Sequence, residues 1–224
     1  MSVRSAFVAL SLLFPLSAFA VPTWAQITAS GWTNVTNVKN VAGDIAIETR
    51  KIDGLACYRG KTSVTGVSRE KLHEVVADIP STLKWSTAGV TKAEVLGKSG
   101  ATLDYFQYLD VPGWTFANDR FWFLKGTTEK TADSTIFRWE RLENGGAYNA
   151  KFTKVKTENP NAVEPPINVG GWAFTGSDPV QVTYSICSDT GGSIPAGIQK
   201  AATRGTLPDT IRDAVVEAKK RMGK

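Results

Sequence analysis

The last quarter of the chain, residues 170–221, constrains the fold most strongly, because an apolar strand there leads into a glycine-rich turn and one long helix. Apolar and polar residues alternate over 180–187, which predicts a strand with one buried and one wet face. The Asp189-Thr-Gly-Gly turn follows, and Pro195 suits the first turn of a helix. Apolar residues then recur at helical spacing, so a sheet must pack against this helix.

The apolar face of that helix changes in size along its length. Ala201, Ala202 and Gly205 come first, and the branched residues Ile211 and Val215 follow. Because small side chains fill little of the space beneath a sheet, this gradient indicates an internal cavity.

The rest of the chain is predicted to contain strands, a helical pair and a meander of further strands. This order is typical of an α+β fold in which one curved antiparallel sheet wraps around the C-terminal helix. Proline-rich residues 158–168 read as a loop. The expected strands are 32–41, 45–52, 55–64, 93–97, 101–109, 120–128, 134–142, 148–157 and 169–174, and the expected helices before the last are 68–79 and 81–88.

Residues 1–20 have the pattern of a secretory signal peptide. Arg4 precedes an apolar run over 6–14, and Ala18-Phe19-Ala20 forms an A-x-A cleavage site. The apolar run is too short to span a bilayer comfortably. We therefore expect a periplasmic or secreted protein.

The net charge of +5 is spread along the chain. The one basic cluster, residues 219–221, ends a helix, where cations complement the helix dipole. Nucleic acid is therefore not an expected partner.

Two cysteines, Cys57 and Cys187, would enter an oxidising compartment with such a signal. Alternation places both on the wet faces of their strands. If the first of these strands runs antiparallel to the last, the two thiols meet, and a disulfide is predicted.

Enzyme motifs are weak in this sequence. His73 is the only histidine and falls on the polar side of its helix, which predicts a solvent-exposed residue. Ser68 and Lys71 match the S-x-x-K motif, but its companion elements Ser-Asp-Asn and Lys-Thr-Gly are missing from the sequence. A helix cap at Ser68 explains the pattern. No catalytic residue, metal site or cofactor is predicted.

Two segments resemble the START lipid-binding family. The first runs from Tyr108 to Arg120 and contains the motifs Pro-Gly-Trp and Asp-Arg. The second runs from Trp172 to Pro195 and contains the motifs Val-x-Tyr and Gly-Gly-x-Ile-Pro. The resemblance implies a helix-grip domain over residues 27–222, with a hydrophobic tunnel for one lipid. It also places the third strand beside the last, in agreement with a Cys57–Cys187 disulfide. Gln107 and Gly126 stand where some sterol-binding members carry an acidic residue and an arginine.

Seven Trp and ten Phe indicate either a large aromatic core or the wall of an apolar pocket. Arg120 and Asp189 are interpreted as structural anchors. The residues predicted to line the pocket are Trp122, Leu124, Trp139, Trp172, Phe174, Tyr184, Ile198, Ala202 and Ile211.

The leading hypothesis is a monomer that binds, and could transfer, a lipid or other hydrophobic small molecule, with transient membrane contact. One alternative is a cyclase- or aromatase-like enzyme that uses the same cavity, with Tyr58, Tyr105, Tyr184 and Gln107 as candidate groups. A second is an interaction module whose cavity is filled by its own side chains.

Overall fold

The computed structural model describes residues 20–113, 117–191 and 196–223, with side chains omitted for 196–204. The predicted signal peptide therefore lies outside the described residues except for Ala20. In chain order the elements are α1 (Trp24–Thr28), β1 (Thr33–Asn40), β2 (Gly43–Ile52), β3 (Leu55–Val64), α2 (Arg69–Ala77), α3 (Thr82–Trp85), β4 (Val90–Ser99), β5 (Thr102–Leu109), β6 (Arg120–Lys130), β7 (Ser134–Arg141), α4 (Asn149–Glu158), β8 (Ile167–Thr175), β9 (Val180–Asp189) and α5 (Ala196–Arg221). Short 3₁₀ turns at Ile79–Ser81 and Glu143–Tyr148 precede α3 and α4.

One nine-stranded antiparallel sheet organises the molecule, in the order β1-β2-β3-β9-β8-β7-β6-β5-β4. The β3–β9 pairing joins the N-terminal strands to the last strand. Helix α5 packs with α2 on the inner face, where Ile211, Val215 and Leu72 are fully buried. The predicted α+β helix-grip fold, a curved antiparallel sheet around the C-terminal helix, is confirmed.

Helix α1 covers the outer face of the sheet at β3, β8 and β9. Ile27 is fully buried there in one cluster with Cys57 and Cys187, which form the predicted disulfide. The prediction that both cysteines lie on wet faces is wrong, because the outer face at this point is packed against α1.

Adjacent glycines in β8 allow an indole ring to lie against each side of the strand. A Cβ at Gly170 would lie 2.7 Å from the ring of Trp139, and one at Gly171 would lie 2.6 Å from the ring of Trp24. These glycines therefore belong to a full strand and mark close packing on both of its faces.

Helix α4 occupies part of the segment predicted to be a strand over 148–157. Phe152 and Val155 pack against the aromatic outer face of β5 and β6. The prediction was wrong because Tyr148 and Phe152, four residues apart, share a face in either a strand or a helix. The buried Val155 completes a helical spacing of four and three residues.

Candidate functional site

A cavity of about 190 Å³ lies between the inner face of the sheet and the helices. Strands β5 to β9 supply its aromatic wall, α2 and α3 supply Val76 and Trp85, and α5 supplies Thr210. The segment between α3 and β4 closes one side through Ser86 and Ala88. The cavity is thus bounded by every layer of the helix-grip fold.

The structure brings together five of the nine residues predicted to line the pocket, and these all come from strands. Phe174 and Ile211 are fully buried in the adjoining core and are not among the described residues of the cavity wall. Ile198 and Ala202 lie in the first part of α5, where side chains are outside the described set. The five residues in the wall are Trp122, Leu124, Trp139, Trp172 and Tyr184.

Three aromatic rings form a continuous surface along one side of the cavity. The Tyr184 ring lies 4.4 Å from that of Trp172 and 5.8 Å from that of Trp139, measured between centroids. Aromatic rings at such distances stabilise a protein by more than the burial of their apolar area alone would. This part of the wall therefore offers a packed aromatic surface suited to contact with an apolar molecule.

Asn168 is a polar residue of the wall that the sequence reasoning missed. It is buried, and its Oδ1 accepts a hydrogen bond of 2.8 Å from Nε1 of Trp139. Extending the alternation of Trp172 and Phe174 back by four residues would have placed Asn168 on the same inward face. The indole of Trp139 is thus fixed in orientation.

The described wall contains no Asp, Glu, Lys, Arg or His. Burial raises the pKa of both Tyr105 and Tyr184, so their hydroxyl groups keep their protons at neutral pH. The cavity therefore offers hydrogen-bonding groups without a formal charge.

Of the groups considered for catalysis, Tyr105, Tyr184 and Gln107 lie in the wall, whereas Tyr58 packs against the core and is absent from the described wall. Gly126 faces the ring of Phe137, and a Cβ there would lie 2.7 Å from that ring. A longer side chain at this position has no space. Among the described residues, no group of three His, Cys, Asp or Glu side chains could hold a metal ion.

His73 lies outside the cavity and is half-buried. Its Nε2 is 2.9 Å from Oγ1 of Thr128, and its ring meets the edge of Phe137. The prediction of a solvent-exposed side chain is wrong because α2 lies against β7, which places this histidine at the margin of the interface. Burial lowers its pKa.

The segment that closes the cavity is tied to α5 by a buried carboxylate. Oδ2 of Asp213 accepts hydrogen bonds from the backbone N–H and the hydroxyl of Thr87, at 2.8 and 2.7 Å. Arg212 donates to Oδ1 of the same carboxylate at 2.9 Å. Movement of this segment away from α5 therefore requires the loss of these bonds.

Arg120 and Asp189 are the residues interpreted from the sequence as anchors of a strand start and of a turn. Arg120 is the first residue of β6, and both side chains hold the turn after β9. Arg120 is buried, and Asp189 Oδ1 accepts a hydrogen bond of 3.0 Å from the Gly191 N–H. The Arg120 guanidinium donates to the backbone carbonyls of Asn118, Asp119, Thr190 and Gly191.

No protein-family model matches the sequence. A Pseudomonas aeruginosa protein of uncharacterised function is 28% identical over 168 residues, covering 73% of this chain and 76% of that protein.

Solved structures with the same architecture include START proteins and enzymes. The STAR-related lipid transfer protein of Xanthomonas axonopodis matches with a TM-score of 0.67 at 20% identity, covering 85% of this chain and 99% of that one. Human STARD10 matches with a TM-score of 0.70 at 14% identity, covering 90% and 81%. The Zhui aromatase/cyclase of a Streptomyces species matches with a TM-score of 0.51 at 13% identity, covering 74% and 96%. The chain therefore has the START-like helix-grip fold.

Proposed function

We propose that this protein binds a lipid or another hydrophobic small molecule in the cavity between the sheet and α5. The observation that carries the proposal is a cavity whose described wall is largely aromatic and aliphatic, with a few uncharged polar side chains and no charged one. Removing apolar ligand surface from water contributes about 25 cal/mol per Å². A helix-grip fold shared with lipid-transfer proteins supports the same function.

Binding of a whole lipid requires the cavity to enlarge. Its volume of about 190 Å³ is below the roughly 300–1,000 Å³ usual for ligand pockets. The segment at Thr87 is the element we expect to move, because its neighbours Ser86 and Ala88 close one side of the cavity. Its movement requires the loss of the hydrogen bonds from Thr87 to Asp213. Its opening would also provide a route for exchange.

We further infer that residues 27–222 act as one START-like domain, as a monomer in the periplasm or outside the cell. The Cys57–Cys187 disulfide supports an oxidising compartment. None of the described helices combines the length and apolarity needed to cross a bilayer. Transient membrane contact would suffice for a ligand to be collected and released.

A cyclase-like enzyme is the second candidate, supported by Tyr105, Tyr184 and Gln107 in the wall and by the likeness to an aromatase/cyclase. Burial raises the pKa of both tyrosines, so their hydroxyl groups stay protonated at neutral pH and are not available to accept a proton as general bases. A binding protein is therefore the better supported function.

Extraction of the protein from its native host with organic solvent, followed by mass spectrometry, tests the proposal. We expect one hydrophobic compound in near-stoichiometric amount. Leu124→Trp, which adds volume to the cavity wall, should lose it, and Ala150→Trp on the exposed side of α4 should retain it. An empty wild-type protein that also takes up no hydrophobic probe would contradict the proposal.

A further inference from the structure

One indole in the cavity wall has a buried donor without an acceptor. Nε1 of Trp122 is shielded from solvent and has no hydrogen-bond partner among the described residues. By contrast, Nε1 of Trp85 donates to Oγ of Ser81, and that of Trp139 donates to Asn168. An unsatisfied buried donor is costly, so a ligand that supplies an acceptor gains binding free energy at this point.

A second polar group lies beside this indole. Gln107 in β5 is the direct partner of Trp122 in β6, and both belong to the cavity wall. Side chains paired in this way on one face of a sheet have Cβ atoms about 4.5–5.5 Å apart. The amide of Gln107 carries two N–H donors and one acceptor. Two neighbouring side chains of the wall could therefore donate to one ligand oxygen once the cavity enlarges enough to expose the indole N–H.

The surroundings favour an uncharged oxygen over a carboxylate or phosphate. The described wall has no cationic side chain to balance an anion. Burial also keeps Tyr105 and Tyr184 protonated. Transfer of an unpaired charge into such a site is strongly unfavourable.

We propose that Trp122 and Gln107 form a polar subsite that receives a carbonyl oxygen of an uncharged ligand, as in a ketone or an ester. The inference rests on the proposed function and narrows the ligand class. Apolar surface would supply most of the affinity, and the subsite would select for the position of the carbonyl group. In the unliganded state the N–H of Trp122 is enclosed by its neighbours. The carbonyl oxygen of the ligand would therefore reach it only when the cavity enlarges on binding.

Benzophenone and diphenylmethane are suitable probes, because they share two phenyl rings and only the former has a carbonyl. Isothermal titration with the full protein should show binding of both. We expect Trp122→Phe to weaken benzophenone binding about 3- to 10-fold, the range for one lost hydrogen bond, with little change for diphenylmethane. Infrared spectra should show the bound carbonyl stretch at lower frequency in wild type than in Trp122→Phe.

Trp85→Phe is the matched control, because it removes an indole N–H from the same wall that already has an acceptor. It should leave the ratio of the two affinities and the carbonyl frequency unchanged. Gln107→Leu should lower the affinity for benzophenone alone.

An unchanged affinity ratio and carbonyl frequency in Trp122→Phe would overturn the polar subsite while leaving the binding function intact. Tighter binding of diphenylacetate than of benzophenone would overturn the preference for an uncharged group. Failure of wild type to bind either uncharged probe would instead count against the proposed function, and against the subsite with it.

Discussion

Cys57 lies directly opposite Cys187 in the β3–β9 pairing, and their disulfide is completely buried beneath helix α1. The bond joins residues 130 positions apart, so it removes many conformations from the unfolded chain. Replacement of both cysteines by alanine should lower the free energy of unfolding by about 2–5 kcal/mol. Denaturant titration of the oxidised protein and the double variant measures this, and equal midpoints would contradict it.

Burial beneath α1 should also slow reduction of the bond. Trp24 packs against the disulfide cluster, so Trp24→Ala should accelerate its reduction by a small thiol. Alkylation of the released thiols followed by mass spectrometry measures the rate. Leu83→Ala, at an exposed position on α3, should reduce at the wild-type rate.

Loss of the bond between Trp139 and Asn168 should destabilise the protein because both residues are buried. Trp139→Phe leaves Oδ1 of Asn168 without this donor, and we expect a loss of about 1–3 kcal/mol in the free energy of unfolding. In a double-mutant cycle with Asn168→Leu, the two changes should cost less together than their sum. Additive costs would mean that the bond contributes little.

The stability should decrease in mild acid because of His73. Burial lowers the pKa of this histidine below the ordinary value of 6.5, so the unfolded chain binds its proton more readily. The stabilising effect of the neutral ring is present above pH 6.5 and is lost as the pH falls from there through the folded-state pKa. Denaturation midpoints between pH 7 and pH 5 should fall less steeply in His73→Gln, whereas parallel slopes would exclude this origin.

The contact between Thr87 and Asp213 should control exchange of ligand if binding occurs in the cavity as proposed. Thr87→Ala removes the hydroxyl donor to the buried carboxylate, and we expect dissociation of bound benzophenone to be roughly fivefold faster, as for one lost hydrogen bond. Stopped-flow measurement of dissociation tests this. Thr153→Ala, on an exposed part of α4, should dissociate at the wild-type rate.

Strands and their inward faces could be predicted from the sequence because alternation is a local property. The bounds of β3 match the prediction, and Trp122, Trp139 and Trp172 share the cavity through their positions on inward faces. The helical side of the cavity could not be predicted in this way. Whether Val76 or Trp85 faces the cavity depends on how α2 and α3 sit on the sheet.

The errors also have a tertiary cause. Cys57 and Cys187 have polar residues such as Arg59 and Ser185 on their faces, but they lie in a buried cluster to which α1 contributes Ile27. The spacing of Phe152 from Tyr148 suits a strand or a helix. In the structure this segment is a helix, in which Phe152 packs against the outer face of β5 and β6. Local patterns show which residues of an element share a face, but they do not show which other element packs against that face.

The pairing of β3 with β9 has a consequence for how the chain acquires its structure. Synthesis proceeds from the N-terminus, so β3 must wait until more than a hundred further residues have been made before its partner exists. If β1 to β3 pair before β9 is in place, the free edge of β3 and the Cys57 thiol would be open to other chains, and contacts between such distant segments form slowly. The topology therefore requires that the edge of β3 be protected from other chains until β9 pairs with it.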